Sequence, residues 1–157
     1  MTSFLFVCTG NICRSPLAEL AMRREAKRRG LTLDIDSAAT GSWNLGEAPD
    51  PRTCRVASDQ GLDASMLRAR LVTKDDFNRF DHIIALDRSH LAILTRMKPS
   101  QSKTHVSLML DHIPNRTGQD VIDPYYGSDA GFMTTWQDVE AACAALAQTT
   151  LGPRPQN

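Results

Sequence analysis

Apolar positions along this chain follow two rhythms. Continuous short runs and strict alternation mark strands, and three-to-four-residue spacing marks helices. The segment SFLFV at residues 3–7 is a continuous apolar run of strand length, and LTLDIDSA at 31–38 alternates apolar with polar. Between them, PLAELAMRREAKRRG at 16–30 carries Leu17, Leu20, Ala21 and Met22 at helical spacing, with Pro16 in the first turn and Gly30 as a stop. TCRVASDQG at 53–61 reads as a short helix closed by Gly61. In TKDDFNRF at 73–80, Thr73 stands three residues before an acid, the capping-box pattern of a further helix. HIIALD at 82–87 is a strand, RSHLAILTRM at 88–97 a helix, HVSLML at 105–110 a fourth strand, and AGFMTTWQDVEAACAALAQT at 130–149 a last amphipathic helix.

Strands thus alternate with helices. The pattern predicts an α/β fold: one three-layer α/β/α domain with a central four-stranded, mostly parallel sheet and helices on both faces. The domain is expected over residues 1–152, with the Pro-rich, polar residues 153–157 as a flexible tail. Two segments lack periodicity, ATGSWNLGEAPDPR at 39–52 and DVIDPYYGSD at 120–129, and loops of such length are often functional. Ligands of parallel sheets bind beyond the carboxyl ends of the strands, so the loop after the first strand is the first place to look.

Composition narrows the field. The 157 residues carry 18 basic and 18 acidic side chains, with no net charge to attract nucleic acid or an anionic membrane. The basic stretch RREAKRRG at 23–30 reads as a solvated helix face and C-terminus, where cations suit the helix dipole. The sequence shows no signal or membrane-spanning segment, and four cysteines do not require a disulfide framework. A reducing, cytoplasmic setting is expected.

The loop after the first strand reads VCTGNICRSP, residues 7–16. It lacks the glycine-lysine and glycine-rich signatures of nucleotide cradles. It offers instead Cys8, then five residues, then Arg14 and Ser15. Curling through Thr9, Gly10, Asn11, Ile12 and Cys13, such a loop aims its amides at a tetrahedral oxyanion, and Gly10 and Asn11 tolerate the left-handed backbone this needs. Arg14 supplies a planar fork for two phosphate oxygens. Cys8 sits in the same positive field, which favours its thiolate, and Ser15 is placed to donate to it. The plain alternative is a structural thiol and a surface arginine. A metal site is disfavoured, because Cys8 and Cys13 lack zinc-knuckle spacing and His82, His90, His105 and His112 are scattered. An acid able to protonate a leaving oxygen could be Asp123, Asp36 or Asp87; Pro124 biases Asp123 to an extended backbone.

FVCTGNICRSPLAE, DSAATGSWNLGEAPDPR, ARLVTKDDFNRFDHIIALDRSHL and DPYYG, in that order over nearly the whole chain, resemble the low-molecular-weight protein tyrosine phosphatases. The resemblance implies hydrolysis of phosphotyrosine in proteins, and of small aryl phosphates, through a cysteinyl-phosphate intermediate and without a cofactor. It makes Cys8 the nucleophile, Arg14 and the amides of residues 9–15 the phosphate cradle, and Asp123 the general acid and base. It places Trp43, Tyr125 and Tyr126 as walls of the substrate cleft, Asn11, Ser15 and Ser37 as supports of the loop, and Cys13 as redox partner of Cys8. It implies a phosphotyrosine protein as partner and a monomer or weak homodimer. One departure is visible: many relatives carry a supporting histidine where this chain has Leu67.

Two relatives share the loop. Arsenate reductases carry further cysteines near residues 80–90, absent here, and protein-arginine phosphatases carry Thr in place of Ile12 and lack the tyrosine pair. A non-catalytic phosphate-binding module would be expected to lack Cys8, Arg14 or Asp123, and all three are present.

Overall fold

The computed structural model describes residues 2–155. Four strands, β1 (Ser3–Cys8), β2 (Asp34–Ala39), β3 (His82–Ala85) and β4 (His105–Leu108), pair in the order β2-β1-β3-β4. Every pairing is parallel, with Cys8 opposite Ala39 and Val7 opposite Ala85. Five helices connect and cover them: α1 (Arg14–Arg28), α2 (Pro51–Asp59), α3 (Asp76–Arg79), α4 (Arg88–Met97) and α5 (Asp129–Leu151).

β1 is a central strand, buried at all six positions. Its period of two divides it between two cores. Phe4, Phe6 and Cys8 face the layer of α1, α2 and α5, with Met22, Trp136 and Val139. Leu5 and Val7 face α3 and α4, with Phe77, Ile83 and Leu94. The expected three layers are therefore present. The chain leaves β1 toward β2 on one side and returns to β3 on the other, which opens a crevice at the carboxyl ends of β1 and β3.

Several boundaries differ from the sequence expectation, each for a local reason. Helix α1 begins at Arg14, two residues before Pro16, whose missing N–H costs nothing in a first turn. Strand β2 starts only at Asp34, because the Leu31 N–H returns to Ala26 O at 3.0 Å and closes the end of α1. Thr73 and Asp76 form one side of the expected capping box at 2.8 Å, but α3 is a single turn, its Asp76 also held by Arg70. The fourth strand stops at Leu108, and Met109–His112 form a 3-10 turn that buries Met109 and Leu110.

The basic stretch at 23–30 is not a uniformly solvated face. Arg29 is buried against the equally buried Glu25, and Arg24 pairs with Glu140 while its guanidinium lies over the Trp136 ring. Arg154, in the 153–157 segment, donates to Glu25 at 2.6 Å. Residues 156 and 157 lie outside the described residues. Among the described residues no helix is long and apolar enough to cross a membrane.

Candidate active site

At the carboxyl end of β1 the chain must turn from a buried strand into α1 within five residues. It does so by directing its carbonyls outward. Cys8 O and Thr9 O accept from the N–H groups of Thr40 and Gly41, Ile12 O accepts from Asp50 N–H, and Cys13 O from the Thr53 hydroxyl. Among the described residues, the N–H groups of Gly10, Asn11, Ile12 and Cys13 donate to no protein acceptor. Donors without partners on the inside of a curl, next to a helix N-terminus whose first-turn Ser15 N–H points at Cys8 Sγ (3.4 Å) and whose Cys13 side chain caps nothing, make an anion nest. Asn11 carries the left-handed turn at φ 58°. Gly10 lies close under the Asn44 side chain: a Cβ there would meet Asn44 Oδ1 at 2.6 Å unless that side chain turned aside.

Side chains fix the loop from behind. Asn11 Nδ2 donates to Ser15 Oγ at 2.8 Å and to Ser37 Oγ at 2.9 Å, while Asn11 Oδ1 accepts from Arg70 N–H at 3.1 Å. Since Ser15 Oγ receives the amide proton, its own hydroxyl hydrogen is free for Cys8 Sγ, 3.0 Å away. Ser37 passes its hydroxyl hydrogen to the buried Glu19 at 2.7 Å, and Glu19 is held in turn by Arg23. Burial pushes the Glu19 carboxyl upward, against the bonds from Ser37 and Arg23. Leu67 packs against the apolar core, and the Arg70 backbone satisfies the Asn11 carbonyl without a histidine.

Arg14, 3% exposed, is aimed by three groups. Its Nη1 donates to Asp87 Oδ2 at 2.8 Å and to Val121 O at 2.9 Å, and Nη2 lies 3.4 Å from Thr9 Oγ1. Burial opposes the Asp87 charge, but bonds from Ser89 and Arg14 bring this carboxyl down to about 2. Asp87 also caps α4 and shares a capping box with His90. His90 is buried; its Nδ1 accepts from Asp87 N–H at 3.2 Å and its Nε2 meets Thr9 Oγ1 at 2.8 Å. Burial lowers His90 to about 4, so the ring is neutral near pH 7.

These parts line one cleft of roughly 400 Å³, with Cys8, Thr9, Gly10, Ile12, Cys13 and Arg14 at the base and Trp43, Asn44, Asp123, Tyr125 and Tyr126 above. Trp43 is 75% exposed, its ring lying over Gly41, where any Cβ would strike it. Tyr125 and Tyr126 meet edge to face at 4.9 Å. Asp123 Oδ2 is 3.7 Å from Arg14 Nη2, and Asp123 Oδ1 accepts from Tyr125 N–H at 3.1 Å. Of the three acids weighed above, Asp36 is tied to Arg70 on β2 and Asp87 to Arg14, so Asp123 is the carboxylate facing the cleft. Cys13 lies buried in the same wall, its thiol pushed up to about 12 by burial and by Asp50. Asn11, Ser15 and Ser37 stand behind the loop, with no place in the cleft lining.

Sequence reasoning missed Glu19, His90, the cleft residue Asn44 and the role of Asp87 in holding Arg14. Asp87 had a usable signal, since it follows β3, the strand beside β1, at the end where ligands bind. Glu19 and His90 are single polar residues on helices and carry no comparable mark.

A cysteine in a nest of free amides, a buried arginine and a cleft-facing carboxylate lie together at the switch point of a parallel sheet, an arrangement suited to holding a phosphate group. The family model described as low molecular weight phosphotyrosine protein phosphatase matches residues 3–154. A protein of that name from Schizosaccharomyces pombe is 44% identical over 131 residues, covering 82% of this chain and 83% of the relative. The crystal structure of Primo-1 superposes with a TM-score of 0.91 at 33% identity, covering 96% and 99% of the two chains. That of a protein tyrosine phosphatase from Entamoeba histolytica, with Hepes in the active site, gives 0.89 at 34%, covering 97% and 99%. The chain belongs to the low molecular weight phosphotyrosine protein phosphatase family.

Proposed function

We propose that this enzyme hydrolyses phosphotyrosine in proteins through a cysteinyl-phosphate intermediate. The observation that carries the reading is that Cys8, Arg14 and Asp123 border one cleft with aromatic walls. Cys8 thiolate attacks phosphorus, the S–P bond forms as the aryl P–O bond breaks, and Asp123 gives its proton to the departing phenolate oxygen. Arg14 and the amides of residues 9–15 hold the equatorial oxygens, where charge must be balanced throughout. Asp123, now a carboxylate, takes a proton from water as that water's oxygen attacks phosphorus. The S–P bond breaks, and thiolate and inorganic phosphate are released.

The charge that a metal would balance is met by Arg14 and the amides, and the mechanism is proposed to be metal-independent. Among the described residues no group of three His, Cys, Asp or Glu is arranged to hold one. The walls Trp43, Tyr125 and Tyr126 suit a flat ring, and the apolar Ile12 in the cradle favours a phenol over a guanidinium leaving group. Cys13 shares the cleft lining with Cys8 and is proposed as its redox partner: once peroxide has oxidised Cys8 to the sulfenic acid, the Cys13 sulfur attacks the Cys8 sulfur, water leaves, and a reversible disulfide forms. All four cysteines are free thiols, in keeping with a cytoplasmic setting. The enzyme is proposed to act as a monomer or weak homodimer. A panel of peptides bearing phosphotyrosine, phosphoserine or phosphoarginine tests the substrate class: turnover should be confined largely to phosphotyrosine, and a preference for phosphoarginine would contradict the reading.

A further inference from the structure

The loop that carries Asp123 is tied to the molecule by very little. Within it, Tyr125 N–H donates to Asp123 Oδ1 and Gly127 N–H to Pro124 O. Among the described residues, two hydrogen bonds lead from residues 123–128 to the rest of the protein. Gly131 N–H donates to Ser128 O at 3.0 Å where α5 begins, and Arg52 Nη2 donates to Tyr125 O at 3.1 Å, the one that comes from a side chain. Asp123 Oδ2 itself stands 3.7 Å from Arg14 Nη2. The Arg52 guanidinium lies 5.6 Å from the Tyr125 ring centre and 4.5 Å from that of Phe132 on α5. Its nitrogens Nε and Nη2 donate to the two oxygens of Asp50 at 3.1 and 2.9 Å.

Asp50 connects this clamp to the nucleophile. It caps α2, and its N–H donates to Ile12 O at 2.9 Å within the phosphate loop. One residue beyond Arg52, the Thr53 hydroxyl reaches Cys13 O at 3.4 Å. The first turn of α2 therefore touches both catalytic loops. Arg52 is the residue in it that reaches the acid loop, and its planar fork with aromatic contacts fixes direction as well as distance.

We propose that Arg52 is the positioning residue for the general acid, holding the Tyr125 backbone so that Asp123 is presented to the leaving-group oxygen. This rests on Asp123 being the acid. Arg52 contacts no reacting atom, so its loss should impair proton delivery and spare attack by Cys8 at the far side of phosphorus.

The test is the dependence of kcat/KM on leaving group, using aryl phosphates that range from dinitrophenyl to phenyl. Leaving groups that depart without a proton report attack alone, and poor ones need the acid. The parent should show a shallow dependence and Asp123→Asn a steep one. Arg52→Ala should move toward Asp123→Asn, losing roughly tenfold or more on phenyl phosphate and much less on the dinitrophenyl ester. Arg52→Lys, which keeps a cation and one donor, should fall between. The binding of inorganic phosphate, read as product inhibition, should change little. A uniform loss across the series would show that Arg52 serves binding or folding and overturn the proposal, as would a slope equal to the parent's. If Asp123→Asn itself kept the parent slope, the acid assignment would fall and this proposal with it. If the parent hydrolysed no aryl phosphate, the proposed function would fail before either.

Discussion

The two catalytic loops are built in opposite ways. The phosphate loop is buried, its carbonyls bonded outward and its Asn11 and Ser15 side chains bonded to each other, to Ser37 and to the Arg70 backbone. The acid loop is exposed apart from Pro124, with Tyr126 91% exposed, and among the described residues one side-chain hydrogen bond, from Arg52, and the longer Asp123–Arg14 contact reach it from outside its own segment. The difference fits the work proposed for each. Stabilising a charged transition state requires donors fixed before the reaction, since any reorganisation subtracts from the gain. Delivering a proton to a group that must also enter and leave favours a segment drawn from the less stable end of the molecule. One loop is fixed by its bonds and partial burial, and the other is, on the proposal above, positioned by Arg52.

Substitutions should separate the two. Cys8→Ser should remove activity by about 10⁴-fold or more, read as kcat/KM on an aryl phosphate, with little change in melting temperature. Asp123→Asn should cost roughly 10²- to 10⁴-fold on phenyl phosphate, and far less on an activated ester. Asn11→Ala should damage both activity and stability, because Ser15, Ser37 and the Arg70 N–H lose a partner in a buried site. A loss of about 1–3 kcal/mol is expected, visible as a lowered denaturant midpoint. Tyr126→Ala, in the exposed loop, should stay within about 0.5 kcal/mol of the parent by the same measurement. Equal stability losses for Asn11→Ala and Tyr126→Ala would erase the contrast.

Acid should act first on the buried side. His90 is held near 4, below its ordinary 6.5, so the neutral ring is what the fold accommodates. Its contribution is complete above pH 6.5 and is lost as pH falls through 4. Asp87, held at about 2 against an ordinary 3.8, contributes above 3.8 and is lost as pH falls through 2. Glu19, raised by burial, works in the other direction, so the comparison must be made with one group removed. The melting temperature of the parent relative to His90→Gln should fall between pH 6.5 and 4; parallel curves would show that His90 does not titrate as described.

Much of the fold was legible because it depends on repetition. β1 and helices α1, α4 and α5 carry long or clean patterns, and they fall within two residues of their expected ends. α3 and the end of β4 were less legible. There a side-chain pairing (Asp76 with Arg70) and the burial of Met109 and Leu110 under α5 overrode the local pattern. In the site, Cys8 and Arg14 were visible because their spacing is chemically unusual in one turn, whereas Asp123, Trp43, Tyr125 and Tyr126 were singled out by the family resemblance and Asn44 was not named. The supports were harder to see. Glu19 bonds Ser37, which bonds Asn11; His90 bonds Thr9; and Arg52 bonds a backbone carbonyl, so each meets the cleft residues only through contacts between segments far apart in the chain.

The covalent intermediate is the central claim, and it can be trapped. Asp123→Asn protein mixed with a dinitrophenyl phosphate and quenched within the turnover time should carry one phosphoryl group on the peptide that contains Cys8. Cys8→Ser protein treated alike should carry none. A phosphoryl group on a histidine, or rapid phosphate release by Cys8→Ser with no adduct on any residue, would contradict the account.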